Sequence, residues 1–194
     1  MLETILELDT ELLLFFNGFH SSWMDPIMML ATKTLTWLPL YLAVVYLIIK
    51  FKRWDTIYIL FGVVLTVTLA DQITSSFMKP FFARLRPSQE ESLIGVLHLV
   101  NNYKGGLYGF ASSHAANTFG VATFIYLLFR ARYPWITAIF LWASFVSYTR
   151  IYLGVHYPGD ILVGAMVGIL SGLAGFAFAN FLLKEVQKRK ATTH

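Results

Sequence analysis

Lys79, Arg86 and Arg150 are three cations in a chain that uses charge sparingly: 13% of its residues are Asp, Glu, Lys or Arg, against roughly 25% in a soluble domain. Arginine grips an oxyanion through paired hydrogen bonds and lysine adds a point charge. With the pair Ser112-Ser113 the three make a receptor for a multiply charged oxyanion. Snorkelling toward lipid headgroups accounts for most basic residues at helix ends; it is the reading for Arg84, and would serve the other three taken singly. The histidines shift the balance. His114 follows the serine pair, at the start of an apolar stretch, where free main-chain N–H groups and the helix dipole favour an anion. His156 lies four residues before Asp160, with Tyr157-Pro158-Gly159 between them. That tripeptide breaks a helix, so the spacing describes a turn with Asp160 near the next amino-terminal cap. From there a carboxylate can hold one imidazole nitrogen and leave the other free to attack. A zinc site of His114, His156 and Asp160 is the competing chemistry, disfavoured because three neighbouring cations repel a dication and attract a phosphate.

These groups need elements that bring them together. The chain has 194 residues, of which 57% are hydrophobic, and a mean hydropathy of +0.61. Such a chain cannot cover itself with polar surface, and it is too apolar for disorder. The absence of cysteine excludes disulfide scaffolds, thiolate metal sites and cysteine nucleophiles. Five segments could cross a bilayer, which takes about 20 apolar residues: Pro26 to Ile49, Thr56 to Met78, Ser112 to Phe129, Tyr133 to Thr149, and Ile161 to Leu183. The expected fold is all-α, a polytopic membrane bundle of five to six helices forming a single domain. Residues 1–25 form an amphipathic segment that either lies in the interface or packs as an extra helix; its acids and lack of basic residues do not match a cleaved signal peptide. Residues 26–183 form the bundle and 184–194 a basic tail. In the last span Gly164, Gly168, Gly172 and Gly175 form a face for close helix packing.

The formal charge of +4 does not point to nucleic acid, because of where the basic residues sit. Lys50, Lys52, Arg53, Arg130, Arg132, Lys184, Lys188, Arg189 and Lys190 all flank spans on one side, which the positive-inside rule makes cytoplasmic. The loops from Lys79 to Ala111 and from Arg150 to Asp160 then lie outside, and they hold most of the remaining reactive groups.

At these positions the chain resembles the type 2 phosphatidic acid phosphatase superfamily. Lys79-x(6)-Arg86-Pro87 matches its first signature block, Ala111-Ser112-Ser113-His114 aligns with Pro-Ser-Gly-His, and Arg150-x(5)-His156-x(3)-Asp160 fits the third. Ala111, Ser113 and Thr149 depart from the usual proline, glycine and serine. The resemblance implies that His156 attacks phosphorus, Asp160 orients it, and His114 protonates the leaving oxygen. It also implies that Lys79, Arg86, Ser112, Arg150 and the Ser113 N–H bind the phosphate, with no metal and no cofactor. The expected function is hydrolysis of a phosphate or pyrophosphate on a membrane lipid, such as undecaprenyl pyrophosphate, phosphatidylglycerol phosphate, phosphatidic acid or a lipid A phosphate. The expected location is the bacterial inner membrane with the site facing the periplasm or exterior. The expected partners are the lipid substrate and the bilayer, and a homo-oligomer is compatible with the sequence. A non-catalytic lipid-binding or lipid-moving protein is the alternative; it would need the cations but not both histidines and Asp160. Asp71 either pairs with a catalytic cation or hydrogen-bonds within the bundle, the second being the favoured reading. His98, Asn101, Asn102 and Lys104 read as loop surface, and His20 and His194 as uninvolved.

Overall fold

The computed structural model describes residues 2–192, so His194 lies outside the described residues. Eight helical segments follow one another: α1 (Leu2–Asn17), α2 (Asp25–Ala31), α3 (Leu38–Lys52), α4 (Thr56–Asp71), α5 (Lys79–Phe82), α6 (Ser113–Phe129), α7 (Ile139–Tyr152) and α8 (Pro158–Thr192). Among the described residues there is no strand, only an isolated bridge between Leu85 and Tyr108. The helices α4 and α5 are joined by a π-helical stretch, Gln72–Met78, so the second span runs unbroken from Thr56 to Phe82.

The expected first span is instead two helices. A 3-10 turn, Thr34–Trp37, separates α2 from α3, and Pro39 stands in the first turn of α3, where its missing N–H costs nothing. The fourth span is shorter than its apolar run and shifted toward Arg150, because Pro134–Ala138 forms a 3-10 turn. Two helical runs, Thr34–Phe82 and Pro158–Ala191, are long and apolar enough to cross a membrane. Many large apolar side chains face outward, among them Leu42, Phe61, Val64, Leu141, Leu162 and Leu170. In water that surface would drive aggregation; in a bilayer it is the lipid-facing side.

The long α8 is the centre of the bundle and packs on α4 and α6. The glycine face does what its spacing predicts. A Cβ at Gly172 would lie 2.6 Å from the Gly120 carbonyl oxygen, and Cβ atoms at Gly164 and Gly168 would collide with the carbonyls of Ser112 and Ala116. Beneath this contact Phe124, Ile125, Ile48, Ile59 and Ala179 form the main apolar core.

The amino-terminal helix packs against the bundle and keeps an exposed apolar face. Ile5, Leu8, Leu12 and Phe15 are exposed, while Leu13 is fully buried with Ile151, Tyr157 and Leu93. Asn17 fastens its end: its amide donates to the Tyr152 carbonyl (2.8 Å) and its Oδ1 accepts from the His98 N–H (2.8 Å).

Candidate active site

Three helix ends converge on one pocket. Arg150 sits in the last turn of α7, which closes with a pair of main-chain bonds, Gly154 N–H to Ile151 and Val155 N–H to Arg150. This closure puts Gly154 at φ +67°, a left-handed conformation suited to glycine. A Cβ there would also crowd Leu97 and Leu99 at 2.9 Å. The chain then turns so that His156 points back into the bundle, where it is almost wholly buried. Asp160, on the first turn of α8, is fully buried. Its Oδ2 accepts from the Tyr157 N–H (3.0 Å) and faces His156 Nδ1 at 3.2 Å. One carboxylate therefore holds both the first turn of α8, as the N3-to-N-cap half of a capping box does, and the imidazole.

Ser112 is the N-cap residue of α6, and its N–H donates to the Asp160 carbonyl (3.0 Å). The serine pair is thereby tied to the His156–Asp160 turn through the main chain. Lys79 Nζ donates to Ser113 Oγ at 2.6 Å. The Ser113 and Ser75 hydroxyls lie 2.8 Å apart, and Ser75 donates to Asp71 Oδ1 (3.0 Å). Asp71 thus joins the site at one remove, a link beyond the expected bundle hydrogen bond, and Ser75 is a member that sequence reasoning missed.

Arg86 and Arg150 are both buried, and among the described residues neither pairs with a carboxylate. Arg86 Nε donates to the Tyr108 carbonyl (3.1 Å), and Arg150 Nη1 donates to Thr32 Oγ1 (2.6 Å). Tyr103, a second residue that the sequence did not mark, has its hydroxyl 3.5 Å from Arg150 Nη2. Arg86 Nη1 and Arg150 Nε are buried without a hydrogen-bond partner among the described residues. Cationic donors left unpaired at such depth are costly unless an anion meets them. Burial, and after it the charges of Arg150, Arg86 and Lys79, hold the His156 imidazole well below the ordinary histidine value of 6.5. It is therefore neutral at pH 7, with a lone pair available. His114 lies on the first turn of α6, within electrostatic reach of His156 and the three cations.

The outer loop closes over these groups. Gly105 adopts φ +67°, and a Cβ there would lie 2.6 Å from Arg86 Nη1; one at Gly109 would lie 3.0 Å from Asp160 Oδ2. The loop backbone can lie against the cations because it carries no side chain at these points. His98 is not free surface: its Nε2 pairs with Asp25 Oδ1 (3.0 Å), and His20 stacks on its ring at 3.8 Å. Arg84 does not snorkel. Its Nη1 pairs with Asp160 Oδ1 (3.1 Å) and its Nη2 with Asp9 Oδ2 (2.8 Å).

From the pocket an apolar groove of about 390 Å³ runs between α3, α4, α6 and α7. His114, Asn117 and Thr118 lie on its α6 wall, facing Trp37, Tyr41, Val44, Leu60 and Val63.

A family model described as the PAP2 superfamily matches residues 58–184. The chain belongs to the PAP2 superfamily. It is a lipid phosphatase, a membrane hydrolase of that superfamily. A Bacteroides thetaiotaomicron protein named lipid A 4'-phosphatase is 43% identical over 190 residues, covering 96% of this chain and 84% of that one. A Porphyromonas gingivalis protein of the same name is 38% identical, covering 88% and 72%. The crystal structure of Aquifex aeolicus LpxE superposes with a TM-score of 0.64 at 25% identity, covering 88% of this chain and 95% of that one. The PAP2-type phosphatidylglycerolphosphate phosphatase of Bacillus subtilis shares the fold, with a TM-score of 0.67 at 20% identity over 91% and 87%.

Proposed function

We propose that this PAP2 phosphatase removes a phosphate from a lipid A-like saccharolipid, on the outer face of a bacterial inner membrane, through a phosphohistidine at His156. The observation that carries the reading is the pair of buried, unpartnered guanidinium nitrogens on Arg86 and Arg150, next to a neutral histidine held by a buried carboxylate. The likeness to two lipid A 4'-phosphatases supports the choice of lipid. The apolar groove that reaches His114 supports a substrate that brings an acyl chain.

The chemistry follows in two displacements. His156 Nε2 attacks phosphorus while Asp160 holds Nδ1, a P–N bond forms, and the bond from phosphorus to the lipid oxygen breaks. His114 gives its proton to that oxygen. A water, deprotonated by His114, then attacks phosphorus, breaks the P–N bond and releases inorganic phosphate. Lys79, Arg86, Arg150, Ser112 and the Ser113 N–H stabilise the equatorial oxygens in both steps, so no metal is required.

The test is phosphate release in detergent with EDTA present, from lipid A, phosphatidylglycerol phosphate, phosphatidic acid and undecaprenyl pyrophosphate. Wild type should release phosphate despite the chelator, with lipid A preferred, and His156→Ala should be inactive. A His156→Ala variant as active as wild type would remove the nucleophile assignment. Preference for another lipid would leave the mechanism and change the substrate.

A further inference from the structure

The site is held from outside by a residue of the amino-terminal helix. Asp9, on α1, makes one contact with the catalytic turn and one with the loop after α5: its Oδ1 accepts from the Gly159 N–H (2.7 Å), and its Oδ2 pairs with Arg84 Nη2 (2.8 Å). The Arg84 guanidinium lies over the Tyr157 ring, 3.9 Å from its centre, and its other terminal nitrogen reaches Asp160 Oδ1 (3.1 Å). Arg84 thus bridges two carboxylates from a fixed plane, which its flat fork of donors permits and a lysine would not. The contact matters because Asp160 Oδ2 is already shared between Tyr157 N–H and His156 Nδ1. Holding Oδ1 fixes the remaining rotation of the carboxylate. The helix that carries Asp9 is anchored independently by Leu13 and Asn17.

We propose that Asp9 and Arg84 are positioning residues: Asp9 holds Arg84 across Tyr157, and Arg84 sets the Asp160 carboxylate that orients His156. The inference rests on His156 being the nucleophile. It makes α1 part of the catalytic apparatus.

The experiment compares Asp9→Asn, Arg84→Gln and the double variant in steady-state lipid A hydrolysis and in the rate of phosphoenzyme formation. Glu11→Gln, an exposed acid on the same helix, is the control, and thermal midpoints in detergent check folding. Arg84→Gln should lower kcat about tenfold to hundredfold, by analogy with the loss of a group that orients a metal ligand. KM should stay nearly unchanged, and phosphoenzyme formation should slow in parallel. Asp9→Asn should lower kcat in the same way, and the double variant should be no slower than Arg84→Gln, because the two act through one bridge. A merely structural role would lower the midpoint and leave kcat per folded molecule intact. That outcome, or an additive double variant, overturns the proposal; Asp9→Asn alone decides the matter if Arg84→Gln does not fold. Failure of the nucleophile reading is separable, since it appears as an active His156→Ala.

Discussion

Ser113 stands where the superfamily's usual pattern has glycine, and its hydroxyl receives Lys79 at 2.6 Å and meets Ser75 at 2.8 Å. Lys79 is therefore held through a chain of hydroxyls that ends on Asp71. A hydrogen bond to a charged group contributes about 1.5–3 kcal/mol, so Ser113→Gly should weaken phosphate binding about tenfold, read as a rise in KM for lipid A with kcat nearly preserved. An unchanged KM would mean that Lys79 is placed without this hydroxyl. At this scale the sequence was most informative where residue types are rare for their setting. Charged groups and histidines beside apolar spans need a reason, so Lys79, Arg86, Arg150, His114, His156 and Asp160 stand out. Arg84 did not, because a guanidinium at a helix end reads the same whether it reaches headgroups or a carboxylate, and its partner Asp9 lies 75 positions away on another helix. Ser75 and Tyr103 were silent for a similar reason: a hydroxyl is unremarked until its neighbour is known.

Between elements, the contact that governs most is α8 against α6. The glycine spacing from 164 to 172 announced it, and the structure places main-chain carbonyls of Ser112, Ala116 and Gly120 against that face. Gly168→Ala should lower the thermal midpoint in detergent, with a cost of about 1–3 kcal/mol from forced separation. Gly106→Ala, where a Cβ would meet only Arg86 Nη2 at 3.9 Å, should leave the midpoint unchanged. Equal effects would mean that the glycine face is not the seat of the bundle. The break between α2 and α3 did leave a signal, the polar run of Thr32, Lys33, Thr34 and Thr36 with Pro39 after it, which an average over the whole span dilutes. The π-helical stretch before Lys79 was hidden, since nothing in Gln72–Met78 departs from an ordinary helical composition.

For the molecule as a whole, the proposed side of the membrane rests on where nine basic residues cluster, and the chain offers a clean way to check it. It contains no cysteine, so single introduced thiols report without background. Val96→Cys, on the exposed outer loop, should react with an impermeant maleimide in intact spheroplasts. Ala191→Cys, at the far end of α8, should react only after permeabilisation. The reverse pattern would turn the protein over and place the site in the cytoplasm. The layout of the bundle carries one more consequence. The reactive groups are borne by α5 to α8 and the outer loop, whereas one wall of the apolar groove belongs to α3 and α4, through Tyr41, Val44, Val45, Leu60 and Val63. Among the described residues, the hydrogen bonds of the Asp160 carboxylate and the arginines go to none of those wall residues. Descendants of this chain are therefore free to reshape what they accept by drift along α3 and α4, generation after generation, while the apparatus that cuts the bond is inherited intact.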